Sequence, residues 1–436
     1  MYPLLAEVTV STSFIVVAYL AIGAALVVIF VALFNPGLRY KISAPSSEDN
    51  TSDNFLGTLE VLTDSKVNSS TDLAVLTNGP CFYEEELKAI AAAQRSVCLE
   101  AYIFHESEIA QRFVDALTEC ARAGVHVNVV LDALGSIKTS DKYLQALTAS
   151  GGKVAWYNSA RWNKLPHYDN RTHRELLIVD GRTGFIGGAG VADQWYKQRD
   201  KHPRWRDTMV KVTGAAVRHL QATFAENWLE ACGEILVGSD FFPESKHNKS
   251  PEGAVLVVSS SPTSGGMTRA RILFQLLIAS AKKSIHITTP YFLPDKSLSD
   301  ELVRAIRERG VEVKIVVPGR QSDIWLTRTS SRRGYGKLLE AGASIYEYDP
   351  AMIHAKILLV DDLWGVVGST NCDYRSFGLN DEVNLAARDA AFVQRLERDF
   401  VADVAHSRQI TFDAWRHRAI WERAPELFGW VLERQQ

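Results

Sequence analysis

Apolar and polar residues recur along this chain with the periods of helices and strands. Between residues 78 and 158 the pattern predicts helices at Tyr83–Gln94 and Ile109–Ala123, and strands at Val97–Phe104, Val125–Leu131 and Val154–Tyr157. Further along it predicts helices at Ile272–Lys282 and Leu302–Arg309 around a strand at Ile285–Thr289. Such alternation favours an α/β fold, with largely parallel sheets that carry helices on both faces.

A run of 21 apolar residues from Phe14 to Phe34 contains neither a charge nor a proline. As a helix it would be about 31 Å long, which matches the hydrocarbon core of a bilayer. A signal peptide is the alternative, but it would have a basic start, and residues 1–13 contain no Lys or Arg. We therefore predict a transmembrane helix over residues 14–35. Because Arg39 and Lys41 follow it, residues 1–13 should be extracytoplasmic and the remainder cytoplasmic.

Polar stretches divide the rest of the chain. Residues 36–55 are rich in small and acidic residues, which is typical of a flexible linker. Two α/β halves follow at 56–235 and 254–410, and residues 236–253, with two prolines, connect them. Residues 411–436 interleave tryptophans with arginines, as interfacial membrane segments do; packing against the folded body is the alternative.

The stretch from His354 to Asp361 has the form H-x-K-x4-D, with four apolar residues before the aspartate. These four predict a short buried strand. Side chains two positions apart on a strand point to the same face, so the His354 imidazole and the Lys356 ammonium should lie side by side. A nucleophile or acid beside a fixed cation suits a phosphate group.

A second copy of this frame runs from His173 to Asp180. In both copies a glycine begins a tetrapeptide 14 positions after the histidine, at Gly187 and at Gly368. Upstream, residues 97–107 resemble 285–295, residues 124–131 resemble 310–317, and residues 152–158 resemble 343–349. Four matched segments in one order indicate that a single α/β unit has been duplicated.

The two motifs resemble those of the phospholipase D superfamily. Residues 289–292 (TPYF), residues 368–371 (GSTN) and Glu382 are most similar to the bacterial cardiolipin synthases, and the resemblance covers roughly residues 73–389. It implies a covalent phosphohistidine intermediate, with His173 as nucleophile and His354 as general acid and base. It also implies that Asp207 and Glu382, which follow the two motifs, each hold an imidazole.

The resemblance gives Lys356 the role of binding the phosphoryl oxygens. The residues with supporting roles are Gly188, Ser369 and Asn371 at the substrate, and Asp180 and Asp361 as structural partners at the far strand ends. No cofactor is expected, because one phosphodiester replaces another and the sequence has no G-x-x-x-x-G-K-[ST] loop. No metal ion is expected either, because the histidines form no ligand cluster.

The first motif departs from the family pattern at two positions. Glu175 replaces the motif lysine, and Gly190 stands where many members have asparagine. On a strand Glu175 would share a face with His173 and point into the substrate site, where a carboxylate would repel the phosphate. We therefore expect impaired transfer that Glu175→Lys restores. The alternative is that Glu175 turns away, or pairs with Arg174 or Arg206.

Composition narrows the range of partners. With 436 residues the chain has room for more than one domain, and its net charge of −3 gives no general attraction to nucleic acid. Five scattered cysteines lack a metal-binding spacing, which indicates reduced thiols in a reducing compartment.

Together with the predicted transmembrane helix, the resemblance implies a cardiolipin synthase at the bacterial inner membrane, with phosphatidylglycerol and the bilayer as partners. It would move a phosphatidyl group between two phosphatidylglycerol molecules and release glycerol. One alternative is a phospholipase D that uses water or another alcohol as acceptor. A nuclease is a second alternative, disfavoured by the apolar run and the lack of a basic stripe. A catalytically weak lipid-binding protein is the third, and Glu175 is the reason to consider it.

Overall fold

The structure is a computed structural model that describes residues 15–23, 27, 42, 49–158, 170–198, 202–244, 253–262, 268–323 and 325–418. Residues 15–23 and residue 27 are helical. Within these described ranges, no helix is both long and apolar enough to cross a membrane. The transmembrane helix predicted over 14–35 lies mostly outside the described residues, as do residues 1–13, and both assignments stay predictions.

The first half forms a seven-stranded sheet in the order β1-β8-β7-β6-β2-β3-β4. Its strands are β1 (Thr71–Thr77), β2 (Ser96–Ala101), β3 (His126–Asp132), β4 (Lys153–Tyr157), β6 (Leu176–Val179), β7 (Thr183–Gly187) and β8 (Thr208–Gly214). The short strand β5 (Arg171–Thr172) precedes β6 in the chain but joins the sheet of the second half. The helices up to its end are Asp53–Leu62, Gly79–Ala91, Glu108–Arg122, Gln145–Ala149, Asp193–Tyr196 and Val217–Cys232.

The second half repeats this plan in a sheet of order β16-β12-β11-β10-β13-β14-β15-β5, with β9 also paired to β15. Its strands are β9 (Ala254–Ser260), β10 (Ser284–Thr288), β11 (Glu312–Pro318), β12 (Ser344–Tyr348), β13 (Ile357–Val360), β14 (Trp364–Gly368), β15 (Asn380–Arg388) and β16 (Ser407–Ile410). Its helices are Arg269–Ser280, Lys296–Arg309, Trp325–Ala341, Tyr374–Gly378, Ala390–Ala405 and Phe412–Arg416.

The duplicated α/β architecture is confirmed, but the prediction of mostly parallel sheets is wrong. Among the described strands, the parallel pairings are the runs β2-β3-β4 and β10-β11-β12 and the short pair β5-β15. The motif strands β6 and β13 run antiparallel to their neighbours on both sides. The helices that link the parallel strands produced the α/β signal, whereas the motif strands are joined to the next strand by tight hairpins.

Those hairpins explain the aspartate that ends each motif. Asp180 and Gly181 have φ of 55° and 59°, and Asp361 and Asp362 have φ of 59° and 56°. Two successive positive φ angles define the turn type that matches the twist of an antiparallel hairpin. Each motif aspartate also accepts backbone N–H groups: Asp180 from residues 94, 95 and 96, and Asp361 from residues 282, 283 and 284.

The helices begin and end where polar caps and glycines allow it. In helix Glu108–Arg122 the Ser107 hydroxyl accepts the N–H of Ala110, and in helix Lys296–Arg309 the Asp295 carboxylate accepts that of Leu298. The latter helix ends at Gly310, whose φ is 69°. Caps of this kind satisfy N–H groups that lack a partner in the first turn. Observed helix ends therefore lie within a few residues of those predicted at Ile109–Ala123 and Ile272–Lys282, whereas Leu302–Arg309 starts six residues earlier, at Lys296.

The two halves share one continuous core. Side chains of β6 and β8 in the first half pack with side chains of β13 and β15 in the second. The sequence analysis placed residues 53–62 at the end of the linker and the start of the first half. Helix Asp53–Leu62 packs instead on the second half, where the centroids of the Phe55 and Trp364 rings are 6.2 Å apart. The linker predicted over 36–55 is therefore too long, because Asn50 already hydrogen-bonds Asp361 at 2.7 Å.

The C-terminal segment begins on the protein body. The Trp415 indole donates to the carbonyl oxygen of Arg332 at 2.6 Å, and the ring packs against the second-half core. Residues 419–436, which carry most of the predicted interfacial tail, lie outside the described residues.

Candidate active site

Each motif histidine is held at its backbone by the opposite half. The short strand β5, just before His173, pairs in parallel with β15 of the second half. The His173 N–H donates to the carbonyl oxygen of Asp381 at 2.9 Å. In the same way, the His354 N–H donates to the carbonyl oxygen of Arg206 at 2.7 Å. The two motifs therefore meet at the junction between the halves.

The carboxylates cross over between the halves in the same manner. His173 Nδ1 lies 3.0 and 3.1 Å from the two oxygens of Glu382, and His354 Nδ1 lies 3.0 Å from Asp207 Oδ2. Both carboxylates are fully buried. The two residues expected to hold imidazoles do contact them, but each serves the histidine of the other copy. With Nδ1 engaged in this way, Nε2 is the ring atom left to meet a substrate.

Lys356 lies between the two half-sites. Its ammonium donates to the carbonyl oxygen of His354 at 2.8 Å and lies 3.1 Å from Nε2 of the same ring. The side chain runs past Gly188 of the first half, where a Cβ would come within 2.8 Å of Lys356 Cδ and 3.2 Å of Asp207 Oδ1. Gly188 therefore provides the space that brings this one lysine to the junction.

Burial dominates the electrostatics of this cluster. It lowers the pKa of Lys356 to about 8, although the carboxylates of Asp207, Glu382 and Glu175 favour the protonated form. Burial and the Lys356 charge lower the pKa of His354, against the pull of Asp207. Burial would raise the pKa of Asp207, but the hydrogen bond and charge of His354, the Lys356 charge and the Thr208 N–H together outweigh it and leave that pKa below its usual value. Near neutral pH the cluster therefore contains a carboxylate, a neutral imidazole and an ammonium.

Aromatic rings that the sequence analysis did not select surround both imidazoles. Trp195 and Trp205 lie 5.4 and 5.3 Å from the His354 ring, and the Trp195 indole donates to the same Asp207 oxygen at 2.9 Å. Tyr102 contacts the His173 ring edge-on at 5.3 Å. The sequence could have indicated Trp205, because it lies two residues before Asp207 and the segment that brings Asp207 to the site brings Trp205 with it.

The predicted substrate-binding residues of the second half differ in what they contact. The Ser369 hydroxyl donates to Glu382, so its proton is already committed and it supports the carboxylate that holds His173. Asn371 is 4 % exposed, and its Oδ1 has no hydrogen-bond partner among the residues that the structure describes. An unpartnered buried amide oxygen carries a free-energy cost, so this side chain remains the one suited to a ligand.

Glu175 is buried beside the site but does not contact Arg174 or Arg206. Its Oε1 accepts the backbone N–H groups of Tyr102 and Ile103 at 3.2 and 3.4 Å. Burial raises the pKa of Glu175 well above its usual value, and these amides and Lys356 only partly oppose the shift. The expected repulsion of the phosphate assumed an ionised carboxylate directed at it. The structure weakens that basis, because burial favours the uncharged form of the group and its Oε1 already accepts two backbone N–H groups.

No group of three or more His, Cys, Asp or Glu side chains suited to a metal ion occurs within the described ranges. The functional groups that the structure brings together in this site are two imidazoles, two buried carboxylates and one lysine. Such a set can attack a phosphodiester, protonate its leaving alcohol and balance its charge.

Comparison with known proteins identifies the family to which this chain belongs. A family profile described as "Cardiolipin synthase, PLD-like domain" matches residues 87–228 and 275–404. Cardiolipin synthase 1 of Bacillus anthracis is 37% identical over 367 residues, which cover 82% of this chain and 71% of that protein. The major cardiolipin synthase of Bacillus subtilis is 34% identical over 364 residues, covering 82% and 74%.

A solved structure shares the fold at lower identity. The crystal structure of phosphatidylserine synthase from Haemophilus influenzae Rd KW20 has a TM-score of 0.61 and 15% identity, and it covers 87% of this chain and 96% of that one. This likeness concerns the fold alone. On the profile and the sequence relatives, the chain belongs to the family of cardiolipin synthases with phospholipase D-like domains.

Proposed function

We propose that this protein is a cardiolipin synthase that transfers a phosphatidyl group from one phosphatidylglycerol to another and releases glycerol. The observation that carries the proposal is the paired site, in which each imidazole is held at Nδ1 by a buried carboxylate from the other half and Lys356 lies between them. The relatives named as cardiolipin synthases support the choice of substrate.

In the first step, His173 Nε2 attacks the phosphorus of one phosphatidylglycerol. A P–N bond forms and the P–O bond to the glycerol headgroup breaks. His354, which must be protonated at Nε2 in the complex with the negatively charged phosphodiester, gives that proton to the departing glycerol oxygen. Glu382 stabilises the positive charge that develops on the His173 ring, because it accepts the Nδ1–H. Lys356 balances the charge on the phosphoryl oxygens.

In the second step, His354 takes the proton from a headgroup hydroxyl of a second phosphatidylglycerol. That oxygen attacks the phosphorus, the P–N bond breaks, and His173 returns to its starting form. One phosphodiester and one alcohol are consumed, and one of each is produced, so no energy source is needed.

The test is a product assay with the full chain and vesicles of phosphatidylglycerol labelled in the headgroup. We expect cardiolipin and free glycerol in equal amounts. Phosphatidic acid instead of cardiolipin would make the protein a phospholipase D. Lipid binding without any product would leave only the lipid-binding alternative, and cleavage of labelled DNA in place of lipid would favour the nuclease.

We also propose that the run over residues 14–35 anchors the protein in the bacterial inner membrane, with the catalytic body on the cytoplasmic side. In support, the described part of this run is helical, and its large apolar side chains, such as Val17, Tyr19 and Leu20, are exposed. A chain that starts at Asp49, which keeps the Asn50 contact, should fold with an unchanged melting temperature but no longer sediment with membranes. If it sediments as fully as the whole chain, the anchor lies elsewhere.

A further inference from the structure

The two departures from the motif pattern in the first half form a single packed unit. A Cβ on Gly190 would lie 3.0 Å from Glu175 Oε1 and 2.3 Å from the carbonyl oxygen of Ile103. At the same places in the second half the repeat has Lys356 and Asn371. A lysine and an asparagine in one half are therefore replaced together by a glutamate and a glycine in the other, because the larger residue at 190 would not fit beside Glu175 and the backbone.

The backbone that Glu175 binds also differs between the halves. Strand register aligns the repeats: Val97 lies opposite Val179 just as Ile285 lies opposite Val360. In this alignment the counterpart of Tyr102 is Pro290. Proline has no N–H, so the second half has one donor fewer at this point. The first half has two part-buried donors there, and Glu175 accepts from both.

Glu175 is connected to the reacting histidine through Tyr102. The Tyr102 ring is held on one side by Gly135, where a Cβ would come within 2.6 Å of the ring, and it contacts the His173 ring at 5.3 Å. A shift of the Tyr102 backbone would therefore move a ring that packs against the His173 imidazole.

We propose that Glu175 is a positioning residue that acts as a hydrogen-bond acceptor for the Tyr102–Ile103 backbone, and that Lys356 alone provides the lysine for both half-sites. Glutamine, which keeps a side-chain oxygen at the same place, can accept the same two N–H groups. Lysine cannot, because it has three donors and no acceptor, and it would leave both amides unpaired in a buried place. Glu175→Lys should therefore impair the site rather than restore it.

The test compares Glu175→Gln, Glu175→Ala and Glu175→Lys in the full chain on phosphatidylglycerol vesicles. We expect Glu175→Gln to keep most of the turnover with an unchanged pH profile. The other two should lose roughly tenfold or more in kcat, with KM nearly unchanged, because the nucleophile is displaced while the phosphate contacts remain. The matched control is Lys356→Gln, the same neutral residue at the matching position of the second half, which should not be tolerated.

A second measurement is independent of turnover. Diethyl pyrocarbonate modifies accessible imidazoles, and peptide mass spectrometry gives the rate at His173. We expect this rate to be the same in Glu175→Gln as in the unchanged chain and altered in Glu175→Ala and Glu175→Lys. The turnover assay rests on the proposed function, which fails if the unchanged chain forms no cardiolipin. The rate of His173 modification tests the inference even in that case.

Two results would overturn the inference. Turnover of Glu175→Lys at or above that of the unchanged chain would show that position 175 contacts the phosphate. A loss in Glu175→Gln as large as in Glu175→Lys would show that an ionised carboxylate is required. Thermal melting of each variant separates these outcomes from unfolding, and if Glu175→Lys does not fold, the Gln–Ala pair still decides.

Discussion

In the second half of the chain, the residue two positions after the motif histidine is a lysine that reaches the carbonyl oxygen and ring of His354. In the first half, the same position holds a buried carboxyl group that faces the amides of Tyr102 and Ile103. The features common to both halves are the histidine, the crossing carboxylate and the aspartate of the hairpin turn.

This difference between the halves separates the groups that the proposed reaction needs twice, the imidazoles, from the group that it needs once, the lysine. In the proposed mechanism, attack and proton transfer occur on opposite sides of the phosphorus, so each half must supply an oriented imidazole. A phosphodiester carries one negative charge, which a single lysine at the junction can match. The first half could therefore lose its lysine, provided that the position took over a structural task.

The largest effect should come from removing either histidine. His173→Ala and His354→Ala should each lower turnover by roughly 10⁴-fold or more, because both steps use both rings. After brief exposure to labelled substrate and quenching, we expect the phosphatidyl label on His173. Label on His354 would reverse the roles of the halves, and label on neither would exclude the covalent mechanism.

The next largest effect should come from Lys356→Gln. A unit charge about 4 Å from the phosphate at an effective dielectric near 20 contributes roughly 4 kcal/mol, or about a thousandfold in rate. Turnover on phosphatidylglycerol vesicles measures it, with melting as the control for folding. A loss below about tenfold would mean that Lys356 is not the main cation at the phosphate.

Substitution of the crossing carboxylates should affect the opposite half. Asp207→Asn and Glu382→Gln should each reduce turnover by about a hundredfold, since the imidazole loses its orienting partner. Modification of the two histidines by diethyl pyrocarbonate should then change at His354 for Asp207→Asn and at His173 for Glu382→Gln. Changes at the histidine of the same half would contradict the exchange.

Lys356 should also give the pH profile an alkaline limb. Its pKa of about 8 is below the usual value for lysine, so the ammonium is present below that pH and lost above it. We expect kcat/KM to fall roughly tenfold per unit above pH 8. In Lys356→Arg, the remaining activity should extend to higher pH, because arginine keeps its proton. An unmoved limb would assign it to another group.

The smallest effect concerns the two hairpin aspartates. Asp180→Asn and Asp361→Asn keep a residue that tolerates positive φ but weaken the bonds to backbone amides, which should cost ~1–3 kcal/mol of unfolding free energy. The loss should be larger for Asp361, which also accepts from Asn50 at 2.7 Å. Denaturant unfolding measures both. An equal loss would show that the Asn50 contact adds nothing.

Much of this molecule follows from local patterns in the sequence. The amphipathic helices and the buried motif strands were predictable, because an element that buries one face has apolar residues at regular intervals in the sequence, as at Phe113 and Leu117. The antiparallel hairpins were predictable in principle from Asp180-Gly181, a dipeptide typical of such turns. Helices on either side of the parallel strands outweighed that signal.

The exchange between halves could not be predicted in this way. His354 and Asp207 are 147 positions apart. The spacing of the motifs in a duplicated chain does not reveal whether a carboxylate contacts the histidine of its own half or that of the other half. The alternation of a strand likewise predicted that Glu175 shares a face with His173, but the strand β6 begins only at Leu176. That alternation gave no information on the two amides of a distant strand end that occupy the carboxyl group.

The exchange of carboxylates also determines when the enzyme can become active during its own synthesis. Glu382 lies 209 positions after His173, so the ribosome completes the first motif well before the group that orients it exists. At roughly 5–20 residues per second, that interval lasts about 10–40 s. Until then His173 lacks its Glu382 partner, so under the proposed mechanism we expect a nascent chain to leave lipid unreacted until the second half has folded.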